Sequence, residues 1–243
     1  MQPSLRIFPS QSAAFAAGLT SAWMSVFAMV LAGTYVGLGA LAHDFGFSPW
    51  WLAASTVVVW AAPAQVILLS TLATGSTLLE AAIAVTLSAI RLFPMVVALL
   101  PIIRSGARST RALLLPMHFT AISMWVESLR LLPSIVPEYR IAYCNGLGAG
   151  YMATAFTFGF VGFYLAAGLP VILAGALLFL TPMSFLTSTA RNCAALSDKV
   201  AFVVGILLGP LLAWYQIGLD LMWTGIAGGI AGYAVHRLRK VTA

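Results

Sequence analysis

One arginine, Arg91, stands alone in a long apolar stretch, with Val85-Thr-Leu-Ser-Ala-Ile90 before it and Leu92-Phe-Pro94 after it. A guanidinium offers a planar fork of donors that grips a carboxylate through two parallel bonds, so Arg91 is a candidate clamp for an anionic group. It can equally pair with Glu127 in the next apolar stretch, and both hold if Glu127 releases Arg91 when a substrate arrives. Glu127 has Arg130 three residues on, the spacing of a local helical ion pair. Its functional alternative is a carboxylate that titrates or faces a substrate ammonium. A further candidate is Trp60-Ala-Ala-Pro-Ala-Gln-Val66. Pro63 removes a helical donor and frees carbonyls near residue 59. Gln65 lies beside that break, and the small Ala61, Ala62 and Ala64 let a ligand approach the backbone. The competing reading is a plain proline kink with Gln65 bonding across helices.

The rest of the chain offers little reactive chemistry. No G-x-S-x-G, H-E-x-x-H or Walker loop occurs, and no acidic pair or histidine set has metal-ligand spacing. An enzyme, a cofactor and a bound metal are therefore not expected. His43-Asp44 reads as a loop pair, and His118 as a hydrogen-bonded structural histidine. Glu80 and Asp220 read as solvated ends of apolar segments. Cys144 and Cys193 fit no metal spacing and read as free thiols.

What must position these residues follows from composition. Of 243 residues, 61% are hydrophobic and 7% charged, against about 25% charged in soluble domains. No charged side chain occurs between Arg6 and Asp44, between Asp44 and Glu80, or between Arg140 and Arg191. A membrane-spanning helix needs about 20 apolar residues, so the chain reads as a polytopic all-α transmembrane helix bundle. A soluble enzyme, a secreted disulfide domain and a nucleic-acid binder are excluded. The net charge of +6 fits positive-inside topology.

Seven to eight membrane segments are expected, with internal repeats and broken helices as a further expectation, in a single domain, residues 1–243. They run over about 12–41 (tilted, broken near Gly33, or partly outside the bilayer), 45–72, 81–103, 112–132, 146–167, 170–189, 200–217 and 219–233. A loop is expected over 133–145 and a polar connection over 191–199. The first segment reads as an uncleaved signal anchor. Eight segments put both termini on one face with eight cations, and Arg104, Arg108 and Arg111 on the other; the termini then read as cytoplasmic. A re-entrant second segment would move the triple-arginine loop across. Gly33/Gly37, Gly146/Gly150, Gly205/Gly209, Gly225/Gly229 and Gly228/Gly232 have the spacing that lets helices approach closely, within one bundle or against another subunit. Pro63/Pro94 and Pro182/Pro210 form a faint internal echo of the kind seen in transporters with broken helices.

The order of pieces is similar to that of the AzlC family, the large subunits of bacterial branched-chain amino-acid exporters. The likeness rests on Phe45-Gly-Phe-Ser-Pro49, Ala61-Ala-Pro-Ala-Gln65, Leu72-Ala-Thr-Gly-Ser76, the helix with Arg91, and Leu180-Thr-Pro-Met-Ser-Phe-Leu186. The chain departs from the family pattern at Ala62, which replaces a glycine, at the additional Pro63, at Leu92, which replaces a histidine, and at Ala89, which replaces an acid or amide. Gln65 and Arg91 carry over. The resemblance implies a multi-pass protein of the bacterial cytoplasmic (inner) membrane that exports a branched-chain or similar amino acid. It also implies a small AzlD-like membrane partner. The candidate substrate contacts are Gln65 and Arg91, which the resemblance carries over, with Pro63, Ala62 and Glu127 added from the reading of the residues themselves. A carrier of another small zwitterion or anion, or a non-catalytic scaffold, is the alternative.

Overall fold

A computed structural model describes residues 5–105, 109–168, 195–215 and 220–242, with scattered positions between 170 and 193. The described residues are helical, and their sole β-bridge joins Arg6 to Ile135. They group into two compact units, 1–181 and 182–243. Three described helices are long and apolar enough to cross a membrane, or four when a bent pair of shorter helices is taken as one span.

The first unit is organised along one helix, α9 (Pro137–Leu165), of 29 residues, or about 43 Å. The expected loop over 133–145 is corrected here. Pro137 is pre-shaped for the first helical turn, and Glu138 favours that positive end, so the helix starts well before Asn145. Against it run α1 (Gln11–Trp23) and α2 (Val26–Asp44). The expected single segment is broken, at Met24-Ser25 rather than at Gly33. Ser25 Oγ caps α2 at Ala28 N, donates to Ala22 O, and therefore accepts from Tyr151 Oη at 2.9 Å. Gln11 bonds Glu138 O, Trp23 bonds Gly150 O, and His43 meets Phe163. Both helices thus run parallel to α9 and cross from one face to the other.

Glycines set this contact. A Cβ at Gly18 would strike the Tyr143 carbonyl, at Gly146 that of Phe15, and at Gly162 that of Val36. The expected small-residue packing thus holds for Gly146 and Gly150. In the second unit, α10 (Leu196–Trp214) packs on α11 (Asp220–Thr242), with Gly228 and Gly232 against Ala201 and Ser197. Gly205, Gly225 and Gly229 face open space instead. Helix α10 already begins at Leu196, inside the expected polar connection. The expected segment over 170–189, with Pro182 of the proline echo, lies outside the residues described continuously.

Two expected spans are bent into hairpins. After α2, the turn at Phe45–Ser48 leads into α3 (Pro49–Val58), capped by Ser48. A break at Val59–Ala61 separates it from α4 (Ala62–Ala73). Then α5 (Leu78–Ala89) and α6 (Leu92–Arg104) form one path bent by 50°, with ends about 34 Å apart. The end of α6 is fixed by Arg140, whose Nη1 donates to Ile102 O at 3.1 Å and Ser105 Oγ at 3.0 Å. It therefore lies at the α9 start. Consequently α5 starts, and α4 ends, on the opposite face, where α3 also begins. The segment read as a second span enters and leaves by the same face.

The fourth segment does the mirror image. A 3₁₀ turn (Thr110–Leu113) and α7 (Leu114–His118) lead in, and α8 (Ile122–Leu131) returns to Ile135, which pairs with Arg6. Pro63 and Pro94 each stand four residues after the residue that opens a break, Val59 or Ile90, whose carbonyl a proline ring would meet in a continuous helix. Those carbonyls, Val59 O and Ile90 O, accept from Ala61 N and Phe93 N instead. The division of cations into eight and three is overturned by the Arg140 bonds. Arg104, Arg111 and Arg140 share a face with Arg6.

Gly162→Val should lower stability by about 1–3 kcal/mol, the usual cost of forcing atoms into a filled contact. Gly225→Ala, placed in open space, should leave it unchanged. Thermal melting in mild detergent, followed by size-exclusion chromatography, reads both.

Candidate functional site

The two hairpins meet tip to tip. His118 Nε2 donates to Val57 O at 2.9 Å, and Trp60 Nε1 donates to Phe119 O at 2.9 Å. His118 is thus the hydrogen-bonded histidine expected from sequence. The Phe119 ring fills the space that a side chain at Gly148 would take, a point about 17 Å along α9 from Pro137. The tips therefore meet near the middle of α9. Both returning half-helices, α4 and α8, start there at an alanine, Ala61 or Ala121, with no side-chain cap. Their first N–H groups, which carry the positive end of the helix dipole, are directed to the meeting point.

Gln65 holds the first hairpin together. It is fully buried, its Oε1 accepts from Tyr35 Oη at 2.7 Å, and its Nε2 donates to Ser55 Oγ at 3.1 Å and Thr56 Oγ1 at 3.0 Å. Residues ten apart in a straight helix would stand about 15 Å from each other, so the Ser55–Gln65 bond exists because the chain turns back. Ser55 and Thr56 spend their own protons on Leu52 O. Ala62 and Ala64 are buried beside Gln65, and Pro63 is half-buried in the first turn of α4. Of the two readings of Gln65, the bond across helices is the one formed.

Arg91 occupies the corner between α5 and α6 and is half-buried. Its Nε is buried and has no hydrogen-bond partner. The alternative pairing with Glu127 is corrected. Glu127, 7% exposed, accepts from Arg130 Nε at 3.1 Å and Nη2 at 2.5 Å, the local i, i+3 pair, with Arg130 reaching solvent. The expected residues thus fall into three places. Ala62, Pro63 and Gln65 lie at one tip, Glu127 on the returning arm of the other, and Arg91 at the bend of the span that links them. Cys144 and Cys193 are free, and no described group of three His, Cys, Asp or Glu side chains could hold a metal.

Sequence reading missed Tyr35, Phe119 and the bonds of Trp60 to Phe119 O and of His118 to Val57 O. The second break has no proline after it, so only the alanine and threonine at 120–121 mark it. A separate apolar recess of about 380 Å³ lies where the α1–α2 junction meets α9, lined by Trp23, Met29, Thr157 and Phe158. It contains no charged or amide side chain.

The sequence pattern of one protein family, AzlC protein, matches residues 26–169. The chain belongs to the AzlC family. That match covers both hairpins, the bent span and the whole of α9, well over half of the sequence. No curated protein and no solved structure matches the chain. The AzlC family relates to branched-chain amino-acid transport, and membership places this chain among transport-related membrane proteins.

For this AzlC protein the Gln65 network makes a stability prediction. Gln65→Leu leaves the buried Tyr35 hydroxyl unpaired and should cost about 1–3 kcal/mol. Adding Tyr35→Phe should recover part of that loss. A double-mutant cycle on detergent melting temperatures measures the coupling.

Proposed function

We propose that this chain is the large subunit of a secondary transporter that exports branched-chain or similar apolar amino acids across the bacterial cytoplasmic membrane. The observation that carries the reading is the meeting of two half-membrane hairpins, one from each face, near the middle of α9. Broken helices inside a bilayer are tolerated where they are buried in protein or line a cavity, and transporters use them to present backbone groups to solutes. A carrier without enzymatic chemistry fits, since the charged groups are few and none among the described residues is paired as nucleophile and base. A small AzlD-like membrane subunit completes the proposal.

An amino acid needs a partner for each of its charges. The N-terminal ends of α4 and α8 favour the carboxylate, and Arg91, with an unpaired Nε at the bend, is its second attraction. Gln65, Pro63 and Ala62 shape the first tip rather than donate freely, because the Gln65 amide is already saturated. Glu127, nearly buried and held by an exposed arginine, is the acid available to the ammonium. Seven to eight membrane-embedded segments remain the proposed count, two of them re-entrant.

The export test is direct. Cells expressing the chain with its small partner should release more leucine, isoleucine or valine than cells lacking either. Arg91→Lys keeps the charge but loses the planar fork, so export should fall by about tenfold, as for about 1.4 kcal/mol of lost recognition. Arg91→Ala should fall further, with the expressed amount unchanged. Normal export by Arg91→Ala would leave the arginine a structural residue.

Sidedness follows from the corrected topology. The face with Arg6, Arg104, Arg111, Arg130 and Arg140 is proposed as cytoplasmic by the positive-inside rule. The described part of the first unit places Asp44 and Glu80, and no lysine or arginine, on the other face. A cysteine at Ser76 should react with an impermeant thiol reagent in whole cells, and one at Ser105 should react only after lysis. The reverse pattern would invert the protein.

A further inference from the structure

The two hairpins are related by more than contact. In each, a short helix enters, an extended alanine ends the break, and a returning half-helix starts without a cap. Ala61 has φ −162° and ψ 115°, and Ala121 has φ −126° and ψ 176°. In each, the first intrahelical bond closes on that alanine, from Gln65 N at 2.9 Å and Trp125 N at 2.8 Å. Each hairpin is then followed by a full crossing, by α5–α6 towards the arginine-rich face and by α9 away from it. The order hairpin, span, hairpin, span, run in opposite directions, is that of an inverted-topology repeat, residues 49–104 against 110–165. The sequence echo of Pro63/Pro94 with Pro182/Pro210 is a different pairing from this one.

The contact across the repeat is reciprocal. A ring N–H of the second hairpin, His118 Nε2, reaches a carbonyl of the first, and a ring N–H of the first, Trp60 Nε1, reaches a carbonyl of the second. We infer that these two bonds form a gate on the approximate two-fold axis: made together in the closed state shown here, and broken when either face opens to the site. Geometry supports this over a purely static role. The tips are joined by side-chain donors to carbonyls, which can exchange for water once a face is wetted. The rest of each hairpin is held internally, the first by Gln65 and the second by the bond of Thr120 Oγ1 to Pro116 O at 3.0 Å. Trp60 and Phe119 are each 7% exposed, whereas His118 is exposed, so the tryptophan bond is buried within the unit and the histidine bond lies at its surface.

The inference rests on the transporter reading, but its test needs no substrate. In a Cys144→Ala/Cys193→Ala background, single reporters Ala61→Cys and Ala121→Cys are labelled with an impermeant thiol reagent in oriented membrane vesicles. Trp60→Phe and His118→Phe keep a ring and delete a donor. Each should speed labelling of both reporters by about fivefold, the population shift that about 1 kcal/mol of one lost hydrogen bond produces. His118→Gln, which retains an N–H donor, should stay near the parent rate. If Trp60→Phe fails to fold, the His118 pair of variants decides alone. Faster labelling confined to the variant's own hairpin would show local loosening and overturn the gate, as would equal rates for His118→Gln and His118→Phe. Coupled labelling without any amino-acid export would keep the gate and remove the proposed substrate.

Discussion

A helix that stops halfway through a bilayer leaves carbonyls and N–H groups where no water replaces their lost partners, and each unsatisfied group costs several kcal/mol. Most of the first unit can be understood as the answer to that constraint. Val57 O receives His118, Phe119 O receives Trp60, and Pro116 O receives the Thr120 hydroxyl. The unsatisfied ends of one hairpin are covered by side chains of the other. Neither hairpin is complete alone, which is why both tips must lie at the same depth.

Depth is fixed in turn by α9. Its glycines let α1 and α2 approach until backbone touches backbone, and Gly148 opens the notch that takes Phe119. Arg140 ties the end of α6 to the start of the same helix through three bonds, to Ile135 O, Ile102 O and Ser105 Oγ. The long helix thus works as a ruler for both hairpins. The buried hydroxyls of Tyr35 and Tyr151, bonded to Gln65 and Ser25, lock α2 to the first hairpin and to α9.

The sequence made the fold class, the family and the break at Pro63 legible, because low charge, long apolar runs and prolines act locally. It hid the direction of the chain after each break. A proline marks where a helix ends but not whether the next one continues or turns back. That choice is made by contacts such as Ser55 with Gln65, and these are visible only in three dimensions. Arg140 was assigned to the wrong face relative to Arg104 for the same reason. Of the candidate site, the residue types were legible and the partnerships were not: Glu127 went to Arg130, three residues away, and left Arg91 without a mate.

The mutual completion of the hairpins has a consequence for how the protein is made. Val57 and His118 are separated by 61 residues. At ribosomal rates of about 5–20 residues per second, the histidine is synthesised about 3–12 s after the carbonyl it satisfies. Through that interval the Val57 carbonyl is bare, which favours the wet boundary over the lipid interior for the first hairpin until the second arrives.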